Sequence, residues 1–387
     1  MIEHGVREDI TWEEAKRRGL KIVKSRWVDG WKPLPDDPQG VRSRCVAQEV
    51  NVSQRDDVAS GTPPLKAHRM VISHAATKAP GARENKKLVA RYDVSVAFFH
   101  ADATGKIAVV PPKDLDQSLL WFLNKAMNGT REASKQWAAK ILQNKKKWGF
   151  LEIESVKILP KLGPPEHGGE CAEGTHLHRK LTWNRDGYTW EADGKYARLL
   201  TKELHLEGGK GVDTPASKET GKNDRFAEEE LPPEEASEFR RLAGTALYLS
   251  LDRPTIQFAV SDITAGMAKP RRIHMHRLKR LGRYLLKFPS EVWVYKYQEA
   301  PRELVLYTDS DWAQDPRTRK SMSGYVEMFG RHMIETSCAR QATVALSSGE
   351  AEYYALTRGV AAGRMSQQIW QIVGYELPLI AKTDSTA

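Results

Sequence analysis

Cysteine is scarce in this chain. Cys45, Cys171 and Cys338 are the only three in 387 residues, and they are scattered. That spacing excludes a disulfide framework and a CxxC motif, and the expected setting is reducing and intracellular, cytoplasmic or nuclear. Long apolar runs are also missing. No stretch approaches the ~18 apolar residues that span a bilayer, so no membrane segment is expected. The first residues include Glu3, His4 and Arg7 and form no apolar core, so no signal peptide is expected either. Internal repeats and low-complexity tracts are absent. Negative charge falls short of positive: 60 Lys and Arg stand against 50 Asp and Glu, a net +10. Such an excess implies a polyanionic partner without telling DNA from RNA. Hydrophobic residues at 40% and charged residues at 28% suit a soluble globular chain with room for two or three domains.

Three carboxylates stand out in the C-terminal part. Tyr307-Thr308-Asp309-Ser310-Asp311-Trp312-Ala313 ends an apolar run at Asp309. Leu379-Ile380-Ala381 leads in the same way to Asp384. Between them, Ser347-Ser348-Gly349-Glu350 has the S-x-x-E form of a capping box, so a helix carrying Glu352 should begin there. Two strand-end aspartates and a helix glutamate gather at one edge of a sheet. Acids that close repel unless a cation neutralises them, so Asp309, Glu352 and Asp384 read as ligands for Mg²⁺ or Mn²⁺. Two such ions about 4 Å apart can activate a water and stabilise a leaving oxygen on a phosphodiester.

Those motifs, with Arg319-Lys320-Ser321-Met322-Ser323-Gly324-Tyr325 in the second slot, resemble in order the RNase H domain of Ty1/copia-type retrotransposon Pol polyproteins. In that pattern the glutamate directly precedes Tyr-x-Ala-Leu, which selects Glu352 over Glu350. The chain stops at Ala387, before the last helix of such a fold, so a truncated domain short of a fourth carboxylate is expected.

The N-terminal half resembles the reverse transcriptase of the same family. Arg91-Tyr92-Asp93-Val94-Ser95-Val96-Ala97-Phe98-Phe99-His100 is similar to D-V-x-x-A-F-L-N/H. The resemblance implies that Asp93 binds catalytic metal, that Phe98 crowds a ribose 2′-OH, and that Arg44 meets the incoming triphosphate. Residues 125–137 are similar to the family's template-facing helix, and 240–260 to its Y-R-x-x-x-G-x-L-x-Y-L and R-P-D-I-x-F-A-V segments. The Y-x-D-D carboxylate pair is what the chain lacks. The stretch 148–160 contains no aspartate, and the pairs Asp36-Asp37 and Asp56-Asp57 precede Asp93 in turn-like contexts. One aspartate holds two Mg²⁺ poorly, so polymerase activity is expected to be lost and RNase H activity weak.

The expected architecture is α+β: partial palm and fingers over 1–150, a palm-edge hairpin and helix over 151–207, a linker over 208–237, a helical connection over 238–300 and an RNase H-like mixed sheet with helices over 301–387. Asp186-Gly187 between two strand-like runs predicts the hairpin. In 271–287, Ile273, Leu278, Leu281 and Leu285 form an apolar stripe, while Arg277, Lys279, Arg280, Arg283 and Lys287 face outward with no acid among them. Arg277, Arg280 and Arg283 are therefore candidate phosphate contacts. Expected partners are an RNA–DNA hybrid, an RNA template or DNA. The alternative reading is a non-catalytic nucleic-acid-binding remnant. His167, Cys171, His176 and His178 crowd one loop but match no zinc spacing.

Overall fold

The computed structural model describes residues 4–31, 40–49, 64–94, 96–103, 105–148, 156–192, 194–216, 228–315 and 318–384. Asp36, Asp37, Asp56, Asp57, Glu152 and Glu154 lie outside them, so the structure does not bear on those acids. The chain is α+β and divides into two compact units: Met1–Thr62 with Tyr92–Leu159, and Pro63–Arg91 with Pro160–Ala387. No helix among the described residues is long and apolar enough to cross a membrane.

The first unit holds a four-stranded sheet in the order Arg7–Ile10, Leu120–Leu123, Ile107–Val109, Lys21–Val23. Val23, Val109, Trp121, Leu123 and Met127 pack together against it. Thr11 accepts from the Glu14 N–H at 3.1 Å and starts the helix Trp12–Arg17, satisfying one of the orphan donors of a helix N-terminus. A separate two-stranded ribbon pairs Ser25–Trp31 with Val41–Ala47, setting Arg44 opposite Val28.

The second unit begins with the helix Leu65–Ala76 and contains an antiparallel sheet in the order Val292–Lys296, Gly187–Glu191, Arg179–Asn184, Glu173–His176. Asn184 Oδ1 accepts from the N–H groups of Asp186 and Gly187 at 2.9 and 3.1 Å, which closes the expected hairpin. Asp252 ties these parts together. It is buried; its Oδ2 accepts from Arg179 at 2.7 Å and its Oδ1 from Trp190 at 3.2 Å and Arg69 at 3.3 Å. Buried charge is tolerated only when paired and hydrogen-bonded in this way.

The helices Lys195–Glu203, Pro233–Ser250, Gln257–Thr264 and Arg272–Lys287 enclose one apolar core with Phe239, Leu242, Leu278 and Leu281 at its centre. The Arg272–Lys287 stripe differs from the expectation at one place. Ile273 is only half-buried, while His274 is buried because its Nδ1 accepts from the Arg271 N–H at 3.0 Å and caps the helix.

The last sheet runs His332–Arg340, Met322–Phe329, Leu304–Ser310, Leu379–Lys382; the first three strands are an antiparallel meander and the fourth is parallel to Leu304–Ser310. The helix Ser348–Ile372 lies on it. Gly359 and Gly363, one turn apart, let the two approach. A Cβ at Gly359 would sit 2.9 Å from Leu306 and Thr308, and one at Gly363 2.9 Å from Leu379. A larger residue at either place would require those side-chain methyls to shift.

Candidate metal centre

Strand register brings the two aspartates together. Tyr307 and Lys382 are directly paired in the parallel ladder. Asp309 and Asp384 each lie two residues beyond that pair, so they leave the same sheet edge on adjacent strands, which run about 4.8 Å apart. Glu352 comes from the start of the helix. The Ser347 hydroxyl caps it, accepting from the Glu350 N–H at 3.1 Å, and Glu352 follows in the second turn. One oxygen from each of Asp309, Glu352 and Asp384 lies within 4.8 Å of the other two. Among the described residues this is the one group of three or more His, Cys, Asp or Glu side chains so placed. His167, Cys171, His176 and His178 do not form such a group.

Glu352 Oε1 accepts from the Ser310 N–H at 3.1 Å, which docks the helix on the strand end. Its Oε2 is buried and has no donor in hydrogen-bond geometry. Burial is the largest cause pushing the Glu352 carboxyl above its ordinary pKa, and Asp309 and Asp384 push the same way; the Ser310 N–H and the Thr383 hydroxyl oppose them. A buried acceptor without a donor, facing two more carboxylates, is a donor set that suits a hard divalent cation. Glu350 is occupied elsewhere. Its carboxylate accepts from the Tyr354 hydroxyl at 2.6 Å and the Leu346 N–H at 2.7 Å, and these two bonds hold its pKa below the usual value.

Asp311 was not among the candidates. Its Oδ1 accepts from the Met322 N–H at 2.5 Å, and its Oδ2 is buried without a partner. Burial raises its carboxyl first, and Asp309 adds to the effect, while the Met322 N–H and Arg340 lower it. Its signal in the sequence was the period-two spacing from Asp309, which returns a strand to the same face.

No family model matches the chain. It is 36% identical over 117 residues to the Retrovirus-related Pol polyprotein from transposon RE1 of Arabidopsis thaliana, covering 30% of this chain and 8% of that one. It is 24% identical to the corresponding polyprotein from transposon TNT 1-94 of Nicotiana tabacum, covering 88% of this chain and 28% of that one. This chain is a homologue of Ty1/copia-type retrotransposon Pol polyproteins. A solved foamy viral protease-reverse transcriptase, in complex with RNA/DNA hybrid, matches 99% of the chain and 46% of its own length with a TM-score of 0.54 at 12% identity, a likeness of fold. The chain thus spans less than a third of the length of either Pol polyprotein.

In this Pol homologue the polymerase candidates sit apart from the carboxylate group in sequence. Asp93 lies on the strand Val89–Val94, and its side chain is outside the described residues. Arg44 is exposed on the ribbon. Phe98, on the 3-10 turn Ala97–His100, packs against Ala101, Ala126 and Ala133. The Arg272–Lys287 helix carries no acid of its own, but acids from other segments meet its basic face. Arg277 pairs with Asp262 at 3.1 Å and Lys287 with Asp213. Arg280 donates to the Thr214 hydroxyl at 2.7 Å, and Arg283 Nε to the Lys210 carbonyl at 2.9 Å.

Proposed function

We propose that Asp309, Glu352 and Asp384 hold Mg²⁺ or Mn²⁺ and that the chain hydrolyses the RNA strand of an RNA–DNA hybrid. The observation that carries this reading is the approach of one oxygen from each carboxylate to within 4.8 Å of the others, on two strand ends and a helix. A divalent cation held there supplies charge neutralisation and a water activated for attack on phosphorus. The chain's own groups do the rest. Asp309 and Asp384 are exposed and so can be reached by a substrate. The Ser310 N–H and the capped helix start hold Glu352 in place. Arg277, Arg280 and Arg283 are proposed phosphate contacts for the same substrate, a role supported by their half-exposed positions on one helix.

For RNA-directed DNA synthesis we propose background activity only, although Asp93, Arg44 and Phe98 stand in the family's motifs. The stretch 148–160 offers no aspartate to share metal with Asp93. The test is cleavage of a labelled hybrid by the full chain with Mg²⁺ or Mn²⁺, beside primer extension on poly(rA)–oligo(dT). Hybrid cleavage without extension is the expected result. Binding of hybrid with neither cleavage nor metal uptake would favour a nucleic-acid-binding remnant instead.

A further inference from the structure

Gln341 sits directly after the strand His332–Arg340 and is 8% exposed. Its Nε2 lies 2.9 Å from the Ala351 carbonyl, 2.9 Å from Ser323 Oγ and 3.3 Å from Ser310 Oγ. A carbonyl can only accept, so the contact with Ala351 fixes which end of the amide faces it. Its two N–H groups then serve three acceptors, and Oε1 is left buried without a partner. The side chain is therefore held by what it donates to.

Two of those acceptors flank the carboxylates. Ser310 follows Asp309 in the chain, and its N–H binds Glu352 Oε1 at 3.1 Å. Ala351 precedes Glu352 in the first turns of the helix. A single buried amide thus bridges the strand end that carries Asp309, the neighbouring strand at Ser323 and the helix turn that carries Glu352.

We infer that Gln341 is a positioning residue for the metal centre: it sets the separation of the Asp309 and Glu352 carboxylates without touching the metal. The inference rests on the proposed metal reading of that site. Groups that orient metal ligands typically matter about 10–100-fold in metal affinity.

The test is calorimetric titration of the full chain with Mn²⁺, at a temperature where every variant is fully folded, with melting followed separately. Gln341→Met keeps the volume and removes all three bonds; its Mn²⁺ Kd should rise about tenfold or more. Ser310→Ala removes one acceptor and keeps the backbone N–H to Glu352, so its Kd should rise by a smaller factor. It decides the matter if Gln341→Met does not fold. Variants that melt earlier yet bind Mn²⁺ as tightly as wild type would overturn the positioning role and leave the metal centre standing. A wild-type chain that takes up no Mn²⁺ would remove the metal centre, and the positioning role with it.

Discussion

Lys66 Nζ lies 2.8 Å from Glu327 Oε2, and both side chains are buried although 261 residues separate them. The same ammonium reaches Glu335 at 2.7 Å and the Ala362 carbonyl at 3.1 Å. Glu327 and Glu335 are directly paired across two antiparallel strands. Like charges in that arrangement repel. Burial pushes the Glu327 carboxyl up first, and Glu335 adds to that; Lys66 and the Ser366 hydroxyl pull it back. Lys66 thereby fastens the helix Leu65–Ala76 to the sheet that carries Asp309.

Removing that ammonium should be expensive. Lys66→Met leaves two facing glutamates, one of them fully buried. Breaking a buried pair from one side costs about 3–5 kcal/mol. Urea denaturation of the full chain should show a loss of this size, and adding Glu327→Gln should recover part of it. A single variant within about 0.5 kcal/mol of wild type would show that the pair contributes nothing net.

Asp309→Asn exchanges a charge for an amide of the same shape. Hybrid cleavage should fall about a hundredfold or more, roughly 2.7 kcal/mol in the barrier. The melting temperature without metal should hold or rise, because one of three mutually repelling carboxylates is gone. Equal cleavage by the variant and the wild type would show that the carboxylate group is not the catalytic set.

His74 makes stability depend on pH. Its pKa is lowered to about 4, first by burial and then by the Lys87 ammonium, and its Nδ1 is buried without a partner beside Tyr375. Above about pH 6.5 the ring is neutral in both folded and unfolded chains and contributes no pH dependence. As pH falls from 6.5 towards 4 the unfolded chain takes the proton and the folded chain resists it, so stability is lost on the acid side. The ring is only half-buried, and with solvent screening the loss should be about 1–2 kcal/mol. His74→Gln, which cannot charge, should lose less in melting temperature between pH 6.5 and 4 than the wild type. Parallel curves would assign the acid loss to other groups.

The three helix arginines should separate in their effects. Arg277 pairs with Asp262, which also lies 3.5 Å from Arg340. Arg277→Ala should cost up to about 1 kcal/mol of stability. Among the described residues Arg280 bonds the Thr214 hydroxyl and Arg283 the Lys210 carbonyl, contacts that can be exchanged for phosphate. Replacing both with Ala should reduce the slope of log binding constant against log salt on hybrid by roughly 1–2. An unchanged slope would place the phosphate contacts elsewhere.

The metal candidates were legible because their signals are local. An apolar run ending at Asp309, another ending at Asp384 and the S-x-x-E start of the Glu352 helix each need only a few neighbouring residues to be read. Strand pairing then brought their oxygens to within 4.8 Å. The Asn184–Gly187 hairpin and the helix Arg272–Lys287 were readable for the same reason. What tertiary structure alone decided is which buried polar groups meet. Lys66 with Glu327, Arg69 with Asp252 across 183 residues, and Gln341 with Ser310, Ser323 and Ala351 leave no periodic trace. Apolar faces repeat with the helix or strand period because every turn must be buried. A buried charge or amide needs only one complementary group, supplied by whichever distant element folds against it.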